Sequence, residues 1–185
     1  MSVTECHGTI RLPRRTICLA GCAAVLAALS GCTQKVRIFP MGEKVQVGGV
    51  IYTVLDAEWT GELDPGSPTA RTPTHRYLLV HLSVNNAGSK EVNLPLLNAV
   101  DSAGQEHLEL SEGQGVVEWL GLLRPLNPTE SKDGRIVFDI PMGAYNLRLS
   151  DGGDPESERT ALVTLPPASK QGMESPLLNQ PKQQE

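Results

Sequence analysis

His107 and Glu109 come closest, by residue type and spacing, to a metal site in this chain of 185 residues. Residues two apart share one face of a β-strand, and an imidazole and a carboxylate could fill two of the four positions around zinc. His81 could join them from another strand. The alternative is that they are solvated polar side chains on an exposed sheet face, with Leu108 and Leu110 facing inward. We favour this alternative and expect neither a metal nor another cofactor here.

Catalytic patterns are missing from the sequence as well. It contains no His-Glu-x-x-His, no Gly-x-Ser-x-Gly and no Gly-x-x-x-x-Gly-Lys motif. Ser111 and Asp101 lie near His107, but their spacing sets no base against a nucleophile. The acidic residues between 151 and 158 lack the ordered ligand pattern of an EF-hand and are typical of a solvated turn. We therefore predict that the protein is not an enzyme, and no small-molecule substrate is identified.

Residues 116–123 form an unusually apolar stretch between the predicted strands. The i, i+4, i+7 spacing of Val116, Leu120 and Leu123 predicts one or two helical turns with a single apolar face. Two interpretations stay open. We favour a segment that closes an open end of the fold; the other is an exposed loop that binds a protein partner, with Trp119 as its anchor beside Leu120 and Leu123.

The overall composition narrows the function classes. Hydrophobic residues make up 39% of the chain and charged residues 20%, which is typical of a globular protein. The net charge of -5 argues against a nucleic-acid binder, which usually carries a basic face. Aromatic residues are only 4%, which favours a protein partner over a sugar or a base.

Cysteine occurs only near the N-terminus, at Cys6, Cys18, Cys22 and Cys32. This distribution excludes a disulfide framework in the rest of the chain. Residues 1–31 carry three arginines followed by the apolar run 16–29, as in a signal peptide. The run is too short for a comfortable bilayer span, which needs about 20 residues.

The apolar run ends in a sequence that resembles a bacterial lipobox, formed by Leu29, Ser30, Gly31 and Cys32. We predict that residues 1–31 are a lipoprotein signal peptide and that Cys32 carries a covalent diacylglycerol and acyl group. The protein would then be exported and lipid-anchored to the bacterial cell membrane or outer membrane. The alternatives are a plain transmembrane anchor or an ordinary signal peptide, and the export route stays open between Sec and twin-arginine.

Downstream of Cys32 we predict a tether over residues 32–41, a folded domain over 42–165 and a disordered proline-rich tail over 166–185. The domain contains seven or eight short alternating segments separated by turn residues. Gly48 and Gly49 predict a hairpin turn between the first two. This pattern is typical of an all-β fold, an immunoglobulin-like sandwich of antiparallel strands without a disulfide.

Three parts of the domain are similar to a known family. The segments are the opening hairpin, the central strand with its Asn-rich turn, and a late turn and strand, at residues 42–54, 76–88 and 126–141. They resemble the telokin-like, immunoprotective-extracellular-antigen-like domains of bacterial lipoproteins. The resemblance implies an immunoglobulin-like sandwich, export and a poorly defined role, with no catalytic or ligand-binding residues to transfer.

Taken together, the sequence predicts a membrane-anchored lipoprotein whose domain is a non-enzymatic module for binding or assembling an envelope protein. The competing hypothesis is a structural envelope lipoprotein in which the domain acts as a spacer. A metal-binding or hydrolytic protein is the least favoured.

Overall fold

The computed structural model describes residues 37–154 and 156–168. The predicted signal peptide, the lipobox and Cys32 lie outside these ranges, as does the tail beyond Ala168. The described residues contain strands and turns but no helix, so this part of the chain has no helical segment that could cross a membrane.

The described residues form eleven strands, seven of them four residues or longer. They are β1 (Ile38–Phe39), β2 (Lys44–Val47), β3 (Val50–Thr60), β4 (Arg76–Asn86), β5 (Val92–Asn93), β6 (Asn98–Asp101), β7 (Glu106–Leu108), β8 (Pro125–Leu126), β9 (Ser131–Ile140), β10 (Tyr145–Ser150) and β11 (Thr160–Thr164).

These strands build a β-sandwich. One sheet has the order β1-β11-β10-β6-β7 and the other has the order β2-β3-β4-β9, while β5 and β8 form a small separate ribbon. All pairs are antiparallel except β1 with β11. The predicted all-β, immunoglobulin-like sandwich is confirmed. No cysteine occurs among the described residues, so no disulfide joins the two sheets there.

Alternating apolar side chains fill the space between the sheets, as the sequence pattern predicts. The central strand β4 buries Leu78, Val80, Leu82 and Val84, and β9 and β10 contribute the buried residues Ile136, Phe138, Ile140, Tyr145, Leu147 and Leu149. Each fully buried aliphatic or aromatic side chain contributes about 1.5–3 kcal/mol. This shared core is what positions the loops at the sandwich edges.

The strand β3 departs from simple alternation at Leu55. The pairing with β4 shifts between Val54 and Asp56, which is a β-bulge. Because the bulge inserts one extra residue, Ala57 and Trp59 still pack against the core while Leu55 is exposed. The alternation of Leu55, Ala57 and Trp59 with Asp56 and Glu58 in the sequence predicts that Leu55 also faces inward; this prediction is wrong, and the bulge is the reason.

The domain begins earlier than the sequence indicates. Ile38 and Phe39, within the predicted tether, form β1 beside β11, and Phe39 packs against the core. The hairpin at Gly48 and Gly49 is confirmed. Gly48 has φ +59° and a side chain there would overlap the carboxylate of Asp151, so glycine is favoured at position 48.

The long proline-rich connection between β3 and β4 covers the outer face of the second sheet. Leu63 and Arg71 form an isolated bridge within it. Leu63 is buried against Tyr77 and Val137, which makes a small second core on the side away from the main one. This explains why β4 is apolar at Tyr77 and Leu79, positions that alternation assigns to the outer face.

Candidate functional site

The chain between β7 and β8 runs along the free edge of β9. The amide of Leu110 donates to the carbonyl of Val137 at 2.7 Å, and the amide of Leu120 donates to the carbonyl of Arg135 at 2.9 Å. In return the amide of Arg135 donates to the carbonyl of Glu118 at 2.8 Å. These bonds satisfy groups that an edge strand would otherwise expose. We call residues 110–123 the clasped loop, because its two ends are joined.

The join is a buried ion pair between Glu109 and Arg124. The guanidinium Nη1 and Nη2 donate to the two carboxylate oxygens, each at 2.7 Å. Glu109 is 2% exposed and Arg124 0%. The carboxylate also accepts from the amide of Leu97 at 2.6 Å, while Arg124 Nε donates to the carbonyl of Gly121. A 14-residue surface loop with closed ends has the form of an Ω-loop.

This pair corrects the interpretation of Glu109 as a solvated side chain or weak metal candidate. The amide of Glu109 donates to the carbonyl of Leu97, and His107 lies opposite the buried Ala99 in the register of β6 and β7. Both side chains are therefore on the inner face of the sheet. Leu108, which alternation assigns to the core, is 57% exposed. Glu109 is unavailable as a metal ligand because both of its oxygens are bonded to Arg124.

His107 packs its ring edge-on against Tyr145, with 5.7 Å between the ring centroids, and Nε2 lies 3.7 Å from an oxygen of Asp101. Hydrogen bonds from the amides of Gln105 and then Ala103 hold the pKa of Asp101 below its usual range. His81 lies in β4, in the other sheet. Within residues 37–154 and 156–168, no three His, Cys, Asp or Glu side chains are grouped to hold a metal.

Residues 116–123 do not form the predicted helical turns; they follow turns and an isolated bridge from Trp119 to Arg135. The helical spacing is misleading because backbone pairing with β9 dictates the conformation instead. Leu120 packs against the main core. Trp119 is half-buried, and its ring lies directly over Gly113. Trp119 thus supports the loop from within, and its role as a partner anchor stays a prediction.

Three other side chains of the clasped loop point to a contact surface. Leu123 is 79% exposed, Val117 is 72% exposed and Leu122 is 48% exposed. Leu123 is among the residues that the sequence singles out, but Val117 and Leu122 are missed. Their exposure depends on the tertiary course of the loop, and only their apolar character was visible in the sequence.

A cleft of about 600 Å³ opens beside the loop, over the outer face of β3 and β4. Its floor includes Leu79, and its walls are the turn at residues 62–65 and the clasped loop at residues 115–117. Three carboxylates and one guanidinium line it, from Glu58, Glu62, Asp64 and Arg135. The cleft has no signature in the sequence, because its walls come from two loops that are remote in sequence.

The acidic turn after β10 has a structural use. Asp151 accepts from the amides of Gly153 at 3.2 Å and Arg159 at 3.0 Å. Glu158 pairs with Arg148 at 3.2 Å. These bonds hold the turn between β10 and β11. Nearby, burial raises the pKa of the Tyr52 hydroxyl, which donates to the carbonyl of Ser150 at 2.6 Å.

Substituting alanine for Gly113 should displace the ring of Trp119. Gly113 is buried, and a Cβ there would overlap that ring. We expect a loss of about 1–3 kcal/mol, as for other overpacked sites. Tryptophan fluorescence in a Trp59→Phe background would report greater acrylamide quenching. Gly49→Ala is the matched control, since its Cβ would meet only an ordinary contact at 3.5 Å. Unchanged quenching in Gly113→Ala would contradict this placement of Trp119.

Two solved structures with TM-scores above 0.5 have the same fold. The yjhA protein from Bacillus subtilis is 17% identical with a TM-score of 0.54, covering 69% of this chain and 99% of that one. A functionally unknown protein from Listeria monocytogenes is 9% identical with a TM-score of 0.51, covering 68% and 82%. The secreted protein MPT63 from Mycobacterium tuberculosis is 15% identical with a TM-score of 0.49, covering 73% and 100%.

Sequence comparison identifies the family. The search of curated proteins gives no significant match. The family model described as a domain of unknown function, DUF4352, matches residues 39–160, which is most of the described sandwich. This chain therefore belongs to the DUF4352 family.

Proposed function

We propose that this is an exported, lipid-anchored protein whose sandwich is a non-enzymatic module that binds another protein of the cell envelope through the clasped loop. The observation that carries the proposal is the exposure of Val117, Leu122 and Leu123 on one loop. Single exposed apolar residues are ordinary on protein surfaces, but several on one segment mark an interaction site.

The clasp supports the same proposal. A loop held at both ends by Glu109 and Arg124, and along its length by β9, loses little conformational freedom when it binds. Apolar side chains held in this way can bind a partner without the cost of ordering a flexible segment. A spacer has no need of an apolar loop surface, whereas a binding module does.

The anchor is tested at Cys32. We expect Cys32→Ala to abolish incorporation of radiolabelled palmitate and to release the protein from the membrane fraction, because the thiol is the predicted attachment atom. The wild-type chain and Cys22→Ala serve as controls, and both should stay labelled and membrane-bound. Label that persists in Cys32→Ala would refute the lipid anchor.

Partner binding is tested by photo-crosslinking in intact cells. A photoreactive residue at position 123 should give one reproducible crosslinked product with another protein, because Leu123 is the most exposed residue of the apolar set. The same residue at Gln114, a polar exposed position of the same loop, is the matched control and should give little product. Equal yields from both positions would favour the spacer.

A further inference from the structure

We propose that the cleft beside the clasped loop binds a cationic and partly apolar peptide segment, in which a lysine or arginine side chain lies next to an apolar one. This inference rests on the proposed function, because it specifies the chemistry of the protein partner. It adds a site that is distinct from the exposed residues Leu122 and Leu123.

The shape of the cleft suits a short extended segment. Leu79 lies on its floor, and the register of the sheet places Glu58 and Val137 directly beside Leu79 on the outer face. Pro65 stands on one wall and Val117 on the other. The volume of about 600 Å³ falls in the range of ligand sites and can hold a few side chains.

The charge of the cleft selects the occupant. Glu58, Glu62 and Asp64 bring three carboxylates, and Arg135 brings one cation. Arg135 is already engaged, since Nη1 donates to the carbonyl of Val117 at 3.3 Å and to the carboxylate of Glu118 at 3.4 Å. Among the described residues, neither Glu58 nor Glu62 has a side chain paired with its carboxylate. The uncompensated charge is therefore negative.

A lysine or arginine side chain matches this combination of surfaces. Its aliphatic stem can lie on apolar surface such as that of Leu79 and Val116 while its charged head reaches the rim. Electrostatic complementarity disfavours an anionic occupant, because like charges would be brought together. The positive charge and the adjoining apolar surface are both required, which is why the segment must be mixed rather than purely basic.

The test uses blocked pentapeptides of sequence Ala-Leu-Lys-Leu-Ala, with norleucine or glutamate in place of lysine as controls. Each is titrated into the full chain in a neutral detergent, and the NMR signals of Leu79, Val116 and Val117 are followed. We expect the lysine peptide to shift these signals and the glutamate peptide to leave them unchanged. Equal binding of the norleucine peptide, or no shift with lysine, would overturn the proposal.

A double variant tests whether the carboxylates of the cleft bind the lysine. Glu58→Gln combined with Glu62→Gln should weaken binding of the lysine peptide about tenfold, as expected for the loss of two partly solvated charge contacts. The control pair is Glu43→Gln with Glu156→Gln, both exposed and outside the cleft. An equal effect of the two pairs would overturn the assignment of the cleft.

The failure of this inference is distinguishable from that of the proposed function. Crosslinking at position 123 without peptide binding in the cleft would support a protein partner at the exposed leucines and refute the proposal that the cleft binds a cationic segment. Peptide binding with no crosslink at position 123 would support the cleft and refute the exposed leucines of the clasped loop as the partner site.

Discussion

Replacing Arg124 by methionine should lower the free energy of unfolding by about 3–5 kcal/mol. The substitution removes both hydrogen bonds that the guanidinium makes to Glu109 and leaves a buried carboxylate with one remaining donor, the amide of Leu97. Desolvating that charge without its partner is the source of the cost. Urea unfolding followed by circular dichroism gives the change from the midpoint and slope.

Two variants control for this result. Arg71→Met breaks a partly exposed pair with Glu112 at 3.9 Å and two long hydrogen bonds to the carbonyls of Glu112 and Gln114, at 3.3 and 3.5 Å, and should cost about 1 kcal/mol. Glu109→Leu combined with Arg124→Met removes both charges and should recover most of the loss, since apolar residues of similar volume often replace a buried pair without penalty. If Arg124→Met lowers the free energy of unfolding no more than Arg71→Met does, the buried pair of Glu109 and Arg124 does not stabilise the fold as we infer.

Replacing Leu122 and Leu123 together by serine should reduce crosslinking to the partner by about tenfold or more, because a few side chains at the centre of an interface carry most of the binding energy. The photoreactive residue is placed at Val117 for this experiment. Stability should change by no more than about 1 kcal/mol, since Leu123 is largely exposed and Leu122 is about half exposed. Yield and unfolding midpoint are measured on the same variants.

The matched control is Leu108→Ser, because Leu108 is similarly exposed but lies on β7, outside the clasped loop. It should leave the crosslinked product unchanged. A loss of product that is the same for Leu108→Ser and for the double variant would show that general surface hydrophobicity, rather than this loop, causes the association.

Much of the sandwich could be predicted from local pattern. The central strand β4 and the late strands β9 and β10 alternate on the face that packs on the main core, and the apolar exceptions are Tyr77 and Val137, which are buried in the second core on the outer face. The departures arise where pairing overrides local alternation. Leu55 is displaced by a bulge, and in the three-residue strand β7 the partner β6 decides which side faces inward.

Only part of the candidate site could be predicted from the sequence, and the reason is physical. The apolar stretch at residues 116–123 stands out in composition, so its location could be found. Glutamate and arginine are rarely buried unless they are paired. The pairing of Glu109 with Arg124 joins the two ends of a 14-residue loop, and local sequence pattern does not predict that these ends meet. The cleft likewise depends on two loops that meet only in the folded chain.

If a partner covers the exposed leucines of the clasped loop in the cell, it should shield position 123 from chemical modification. The rate at which a maleimide modifies Leu123→Cys is measured in permeabilised cells and in the purified chain, and Leu108→Cys is measured in both as the control. We expect position 123 to be protected in cells, while position 108 reacts at the same rate in both. Equal reactivity of position 123 in cells and in purified protein would contradict this expectation.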